Sequence, residues 1–345
     1  MKRIILSITL TLVVIFTASA KDFNLSYNAE ANIINGGGDY TPFWMMNNTH
    51  GVVSDRNNSG YLRLGLFKEV AEDKKFSYSF GLEVVGAYLQ QAYFDAKLKN
   101  WSIFAGAREE KTMLWDEELS SGGMVHSGNA RPIPQIYIGL PQFTQVPGTK
   151  GWFHVRGGLS YGWFVDYPYQ KDFKTDGMQY TKNLLYHRKN LVFKIGHESK
   201  PLYGLIGIDM ATQFGGTVYD CRGGQTIKFP SGIKEYFKVL IPLTGGDDSP
   251  IVDQVNVSGN HLGIYILALG YKKKDWEIKA YYEHFFDDHS GMTFRNKFDG
   301  LWGLSYRSSK QFFIEGVTFE VMNATNQSGP FLWDKSAEIP VQVSA

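Results

Sequence analysis

The chain has 345 residues, with 35 basic and 34 acidic side chains for a formal charge of +1, and nothing in that balance suggests nucleic acid. Its lone Cys221 excludes an intrachain disulfide framework. Aromatic residues and glycine are abundant, with 24 Phe, 20 Tyr, 8 Trp and 37 Gly, and no apolar run after the N-terminus reaches the ~18–20 residues of a membrane helix.

The N-terminus reads as a secretory signal peptide. Lys2 and Arg3 precede an apolar run from Ile4 to Phe16, and Ala18-Ser19-Ala20 is a small-residue cleavage pattern, so the mature chain is expected to start after Ala20. Taking Lys2 and Arg3 from the 35 basic residues leaves 33 against 34 acidic ones. An exported chain rich in aromatics and glycine, without a spanning helix, points to a β-barrel of a bacterial outer membrane.

Period-2 alternation then recurs along the chain, as a barrel strand with one lipid face and one lumenal face requires. Phe76, Tyr78, Phe80, Leu82 and Val84 oppose Ser77, Ser79, Gly81 and Glu83. Gln91, Tyr93, Asp95 and Lys97 oppose Ala92, Phe94, Ala96 and Leu98. From Phe153, the apolar face is Phe153, Val155, Leu159, Tyr161 and Trp163, against His154, Arg156, Gly158, Ser160 and Gly162. The stretch 230–242 breaks this rhythm. Ile233, Tyr236, Phe237 and Leu240 fall at i, i+3, i+4 and i+7, Ser231 suits the N-cap and Pro242 the end, so a short amphipathic helix in an external or lumenal loop is expected there. His261 to Tyr271 is apolar on both faces, and Glu277, Lys279 and Glu283 oppose Ile278, Ala280 and Tyr282.

The connections give an independent signal. Short polar links at 71–75, 99–100, 147–151, 198–201, 272–275 and 308–311 broadly alternate with long segments at 108–131, 166–183, 215–260 and 287–300, apart from a compact connection at 85–89. Short periplasmic turns and long outer loops are the habit of outer-membrane barrels, which places the long segments at the cell surface. The expected fold is all-β: a large antiparallel transmembrane β-barrel of porin-like size, over residues 21–345. About thirteen strands are counted, an odd number, and the ending SAEIPVQVSA holds no closing aromatic strand. The expectation is therefore a barrel truncated at its C-terminus.

Few constellations carry chemistry. GLSYG at 158–162 matches a nucleophile elbow by letter, but Ser160 falls mid-strand where the motif needs a strand-to-helix turn. EHFFDDH at 283–289 offers oxygen and imidazole groups without a known ligand spacing, so no metal and no cofactor is expected. Asn47-Asn48-Thr49 and Asn323-Ala324-Thr325 read as Asn-rich turns. The segment 109–118 sets Glu109, Glu110, Asp116, Glu117 and Glu118 beside Trp115, a kit suited to sugar contact: rings pack on sugar C–H faces, and carboxylate or guanidinium groups take paired hydroxyls. The candidate polysaccharide-binding residues are Arg108, Glu109, Trp115, Asp116, His126 and Arg131 of the segment 108–131, with His284 and Asp287 of 284–289.

Four blocks, PFWMMNNTHG (42–51), LSSGGMVHSGNARPIPQI (119–136), the helix followed by SGNHLG (258–263), and FEVMNATNQSGPF (319–331), resemble the capsule assembly Wzi family in its Bacteroidetes-type form. They run in that order from about residue 40 to the C-terminus. The resemblance implies a large outer-membrane β-barrel acting as an outer-surface lectin, without catalysis, that holds exported capsular polysaccharide or exopolysaccharide at the cell. The compact 85–89 connection and the missing final strands depart from the family pattern. The expected partners are the polysaccharide and outer-membrane lipid, with no nucleic acid, and the chain is expected to be a monomer. The rivals are a porin or outer-membrane transporter, since the strand faces around Glu83, Glu277, Lys279 and Glu283 are polar but mixed in sign, and an outer-membrane enzyme acting on glycan or lipid.

Overall fold

The computed structural model describes residues 18–20, 25–71, 74–110, 116, 118–174, 178–221, 224–240, 260–287, 289–310, 313–326, 331–334 and 341–344. Most of the proposed signal peptide, residues 1–17, lies outside them; Ala18–Ala20 pairs antiparallel with the strand that follows. The chain is mostly antiparallel β-sheet, and none of its described helices is long and apolar enough to cross a membrane. Two compact units are present: residues 1–113 with 126–136, and residues 114–125 with 137–345.

The first unit is a meander of β1 (Ala18–Ala20), β2 (Leu25–Tyr40), β3 (Arg56–Lys68), β4 (Phe76–Val85), β5 (Tyr88–Leu98) and β6 (Trp101–Ala107), each strand lying beside its sequence neighbour. A short helix, α1 (Phe43–Met46), sits in the link from β2 to β3. The second unit holds β7 (Gln135–Gln145), which begins at the end of the first unit's segment, and β8 (Phe153–Trp163). After α2 (Tyr167–Phe173) and β9 (Tyr180–Lys182) come β10 (Leu185–Ile195), β11 (Leu202–Phe214), β12 (Thr217–Cys221), β13 (Gln225–Lys228) and α3 (Ile233–Leu240). The remaining elements are β14 (Asn260–Lys272), β15 (Trp276–Phe286), α4 (His289–Met292), β16 (Gly300–Ser308), β17 (Gly316–Asn323), β18 (Phe331–Asp334) and β19 (Val341–Ser344).

The main sheet of this unit runs β7, β8, β10, β11, β14, β15, β16, β17 in neighbour order, with small separate sheets β13-β12-β9 and β18-β19. The strand count therefore exceeds the expected thirteen. The long links are not bare loops: 166–183 and 215–260 supply β9, β12 and β13, short strands whose few residues carry no strong alternation. Strands β4 to β8, β10, β11 and β14 to β17 fall where alternation or the link lengths predict, β14 resolves the stretch that is apolar on both faces, and β2 and β3 precede the first expected link.

Burial shows how these sheets differ from those of a water-soluble sandwich. In β4, Ser77, Ser79, Gly81 and Glu83 are buried, while Phe76, Tyr78, Leu82 and Val84 are exposed; Glu83 is 0% and Leu82 52% accessible. The same inversion holds in the second unit. Constant register carries one face across β8, β10, β11, β14, β15, β16 and β17, and that face exposes Leu159, Leu191, Phe193, Ile206, Leu267, Leu269, Ile278, Trp302, Leu304 and Phe319. The opposite face carries Arg188, Asp209, Lys279, Glu283, Arg307 and Glu320. We call the apolar face outer and the polar face inner. In water, each large apolar side chain left exposed forgoes about 1.5–3 kcal/mol of burial, so a continuous band of them is unstable against association.

Described parts of two long links fold back over the outer face. Tyr236 of α3 packs on Tyr161 and Phe214, with ring centroids 5.2 and 5.1 Å away, and the Tyr161 hydroxyl donates to the Tyr236 carbonyl at 2.8 Å. Lys189 Nζ donates to the Val239 and Leu240 carbonyls, both at 2.9 Å, supplying charge to the orphan acceptors of the last helical turn. Register puts Tyr161, Lys189 and Phe214 on the same side as Leu159, Leu191 and Ile206, so α3 lies on the outer face and is no lid over the inner one. The helix starts at Ile233 behind Gly232 rather than at a Ser231 cap, and Pro242 lies outside the described residues. Its buried side is Glu235 and Val239 with Tyr236 beside them, so the face on the sheet is displaced from the expected apolar stripe, whose Ile233 and Phe237 are exposed. The second flap follows β15. Phe294 stacks on His284 at 4.3 Å and on Tyr265 at 5.3 Å, and the Tyr265 hydroxyl donates to the Met292 carbonyl.

Candidate functional site

The inner face of the first unit is organised around Arg63. From β3 its guanidinium reaches Glu83 on β4 at 2.6 and 2.9 Å, and Glu109, just past β6, at 2.9 and 3.0 Å. Glu83 also accepts from Asn28 at 3.0 Å and from Gln91 at 2.8 Å, so its fully buried carboxylate is met from three strands. A buried charge is tolerable only when paired and hydrogen-bonded in this way.

A β-bulge completes the network. Glu83 pairs with Gln91 but Val84 pairs with Leu89, which leaves Gln90 as the extra residue. Both glutamines are thereby buried: Gln90 Nε2 donates to Glu109 at 2.8 Å and to the His50 carbonyl at 3.0 Å, while Gln91 Oε1 accepts from the Glu109 backbone N–H. Next to it, Arg108 pairs with Asp95 at 2.9 Å, lies 4.5 Å over the Phe104 ring, and leaves Asp95 a second partner in Ser102.

The segment 126–136 docks onto this unit. Asn48, His50 and Gly51 adopt positive φ, the left-handed conformation that Asn and Gly reach most readily, and turn the chain so that the His50 N–H donates to the Gly128 carbonyl at 2.7 Å. A side chain on Gly128 would strike Asn48 at 2.0–2.9 Å, so the glycine is what allows the approach. Arg131 then lays its guanidinium 4.0 Å over the Tyr88 ring and stays exposed, while Gln135 donates to Glu110 at 2.7 Å. Among the described residues Arg131 makes no ion pair, and the Tyr88 hydroxyl is buried without a partner.

The described residues of the segment 116–125 belong to the second unit and lie on its inner face. Arg307 of β16 pairs with Asp116 at 2.9 Å and with Glu118. Glu320 of β17 accepts from the Ser120 hydroxyl at 2.7 Å, from the Ser121 N–H and hydroxyl at 2.8 Å each, and from the Tyr281 hydroxyl. Glu283 of β15 accepts from the Met124 N–H at 3.0 Å.

The residues chosen from sequence divide between the two units. Arg108 and Glu109 are inner-face network members, Arg131 is the exposed cation on Tyr88, and His126 is half-buried nearby in sequence. Asp116 is engaged by Arg307, and Trp115 lies outside the described residues. Asp287 is exposed at the end of β15. His284 is buried on the outer face, with Nδ1 at 2.9 Å from the Tyr282 hydroxyl and Nε2 at 3.1 Å from the Gly291 carbonyl. It therefore faces away from its neighbour Glu283, and EHFFDDH divides between two faces. No group of three or more His, Cys, Asp or Glu is placed to hold a metal among the described residues. Ser160 sits within β8, without the turn a nucleophile elbow needs.

Sequence reading missed Arg63, Tyr88, Gln90, Arg307 and Glu320. Alternation could have placed Arg63 and Glu320 on the polar face, but their partners lie up to 200 positions away. Comparison with protein-family models, with curated proteins and with solved structures returned no match.

Proposed function

We propose that this chain is an outer-membrane β-barrel protein that holds exported capsular polysaccharide or exopolysaccharide at the cell surface without acting on it chemically. The observation that supports the membrane setting is the inverted sheet: a continuous apolar outer face against a polar, ion-paired inner face. In hydrocarbon the exposed Leu, Ile and Phe side chains cost nothing, while paired charges on the other side face a lumen. The long links emerge at one end of the strands of each sheet, which under this reading is the extracellular end.

The polysaccharide assignment rests on the resemblance to the capsule assembly Wzi family. Blocks that carry it pack on one another: 42–51 meets 126–131 through His50 and Gly128, and 119–125 meets 319–326 through Ser120, Ser121 and Glu320. In the first unit Arg131 on Tyr88 is the best-placed sugar contact, since an exposed guanidinium edge can donate to paired hydroxyls while the ring fixes its plane. Deletion of the gene, followed by staining of cell-attached and released polysaccharide, tests the reading. Polysaccharide shed into the medium is expected, with Arg131→Ala and Tyr88→Ala giving partial shedding at normal protein level; full attachment in the deletion strain removes the reading.

A porin is the second reading, favoured by the polar inner face. Against it, the segment 116–125 is bound across the inner face of β15, β16 and β17. Steady open-channel conductance of the reconstituted protein would replace the anchoring reading with this one.

A further inference from the structure

The two flaps on the outer face end in surfaces that the sheet does not cover. On α3, Ile233 is 76% and Phe237 65% exposed, with Lys234 exposed between them. On the flap after β15, Phe294 is 54% and Phe298 72% exposed, and Arg295 and Lys297 are exposed beside them. Trp302 of the outer face donates from its indole N–H to the Phe298 carbonyl at 3.3 Å, tying this flap to the strand beneath. Both flaps cover the same end of neighbouring strands, β8, β10 and β11 for one and β14, β15 and β16 for the other, the end from which the long links 215–259 and 287–299 leave.

Three features distinguish these surfaces from ordinary polar loops. They lie on the apolar outer face, directly beyond its exposed Leu191, Ile206, Leu267 and Trp302. They present large apolar side chains away from the protein. Their cations Lys234, Arg295 and Lys297 make no ion pair among the described residues. A helix with apolar residues and lysine on its free side, lying in the plane of an apolar surface, is the form that binds a membrane interface: the apolar groups enter the boundary of the acyl region and the cations meet headgroup phosphates.

We propose that α3 and the 289–299 flap form an interfacial collar that seats in the outer leaflet and binds lipids with anionic, phosphate-bearing headgroups. The collar rests on the reading of the outer face as lipid-facing. It adds a second, side-on attachment above the strand band, which fixes the depth of the sheet in the leaflet and holds the outer ends of its strands still.

The test uses the full chain with Cys221→Ser, reconstituted in vesicles of phosphatidylcholine alone or mixed with phosphatidylglycerol. A fluorophore is attached at Phe237→Cys, Phe294→Cys or, as a control on the strand band, Leu267→Cys. Lipids carry a nitroxide quencher either near the headgroup or deep in the acyl chain. Labels at 237 and 294 are expected to be quenched by the headgroup-side nitroxide, more strongly when phosphatidylglycerol is present, and the label at 267 by the deep nitroxide. The triple variant Lys234→Gln, Arg295→Gln, Lys297→Gln is expected to abolish the effect of phosphatidylglycerol; quenching indifferent to lipid charge and to this variant overturns the headgroup assignment. Labels at 237 and 294 that stay unquenched while 267 is quenched overturn the collar and leave the lipid-facing reading standing. An unquenched label at 267 removes that reading, and the collar with it.

Discussion

Two connecting segments packed in the second unit take opposite faces of its sheet. Asp116 and residues 118–125 have no helix or strand of their own and lie on the inner face, whereas α3 lies on the outer face. The difference follows from where each finds partners for its backbone. A segment without regular structure must send its N–H groups elsewhere, and those of Ser121 and Met124 end on the carboxylates of Glu320 and Glu283, which only the inner face offers. A helix bonds its own backbone, so it can rest on an apolar surface, needing help only at its last carbonyls, where Lys189 provides it. The sheet therefore sorts its links by backbone demand as well as by side-chain polarity.

The strongest test of this sorting is a charge left alone on an inner face. Arg63→Ala strands the buried Glu83 and should destabilise the folded protein by about 3–5 kcal/mol, read from the urea midpoint in detergent. Arg63→Met with Glu83→Gln and Glu109→Gln should recover most of the loss; an undiminished loss would mean that packing rather than charge governs that face.

Glu320→Ala withdraws the acceptor shared by Ser120, Ser121 and Tyr281, a loss of about 2–3 kcal/mol. Hydrogen exchange of amides 118–125 should speed up while those of α3 keep their protection. Release of both segments together would show that they form one cooperative unit and are not sorted by face.

The converse substitution, Tyr236→Ala, removes two ring contacts and should cost about 1–2 kcal/mol, with faster exchange confined to α3. Smallest is Lys189→Met, which keeps the apolar stem and deletes the ammonium under the helix end. A cost of about 0.3–1 kcal/mol is expected, seen as fraying of the last turn in the same exchange measurement.

Much of the sheet was legible in the sequence, and the reason is local. A strand exposes successive side chains to opposite faces, so the opposition of Phe76, Tyr78 and Leu82 to Ser77, Ser79 and Glu83 can be read without knowing any partner. The helix at 233–240 was legible in the same way, but not the side it buries: the expected stripe included Ile233 and Phe237, which the sheet leaves uncovered. The candidate site was less legible. Arg131 could be singled out in the segment 108–131, but Tyr88 beneath it could not, and no local pattern announces that a bulge at Gln90 turns two consecutive glutamines to one side. EHFFDDH looks like a single cluster in one dimension, yet alternation sends Glu283 and His284 to opposite faces.

Spacing along a few neighbouring residues was enough to read strands such as β4, β5, β8 and β15, the polarity of their faces and the alternation of short and long links, but not the short strands β9, β12 and β13. Only the folded arrangement of strands shows which face the described residues of 116–125, α3 and the flap after β15 cover, that Arg63 serves both Glu83 and Glu109, and that Glu320 holds Ser120 from 200 positions away. Those contacts depend on strand register and on competition for buried hydrogen-bond partners, which only the folded arrangement of strands sets.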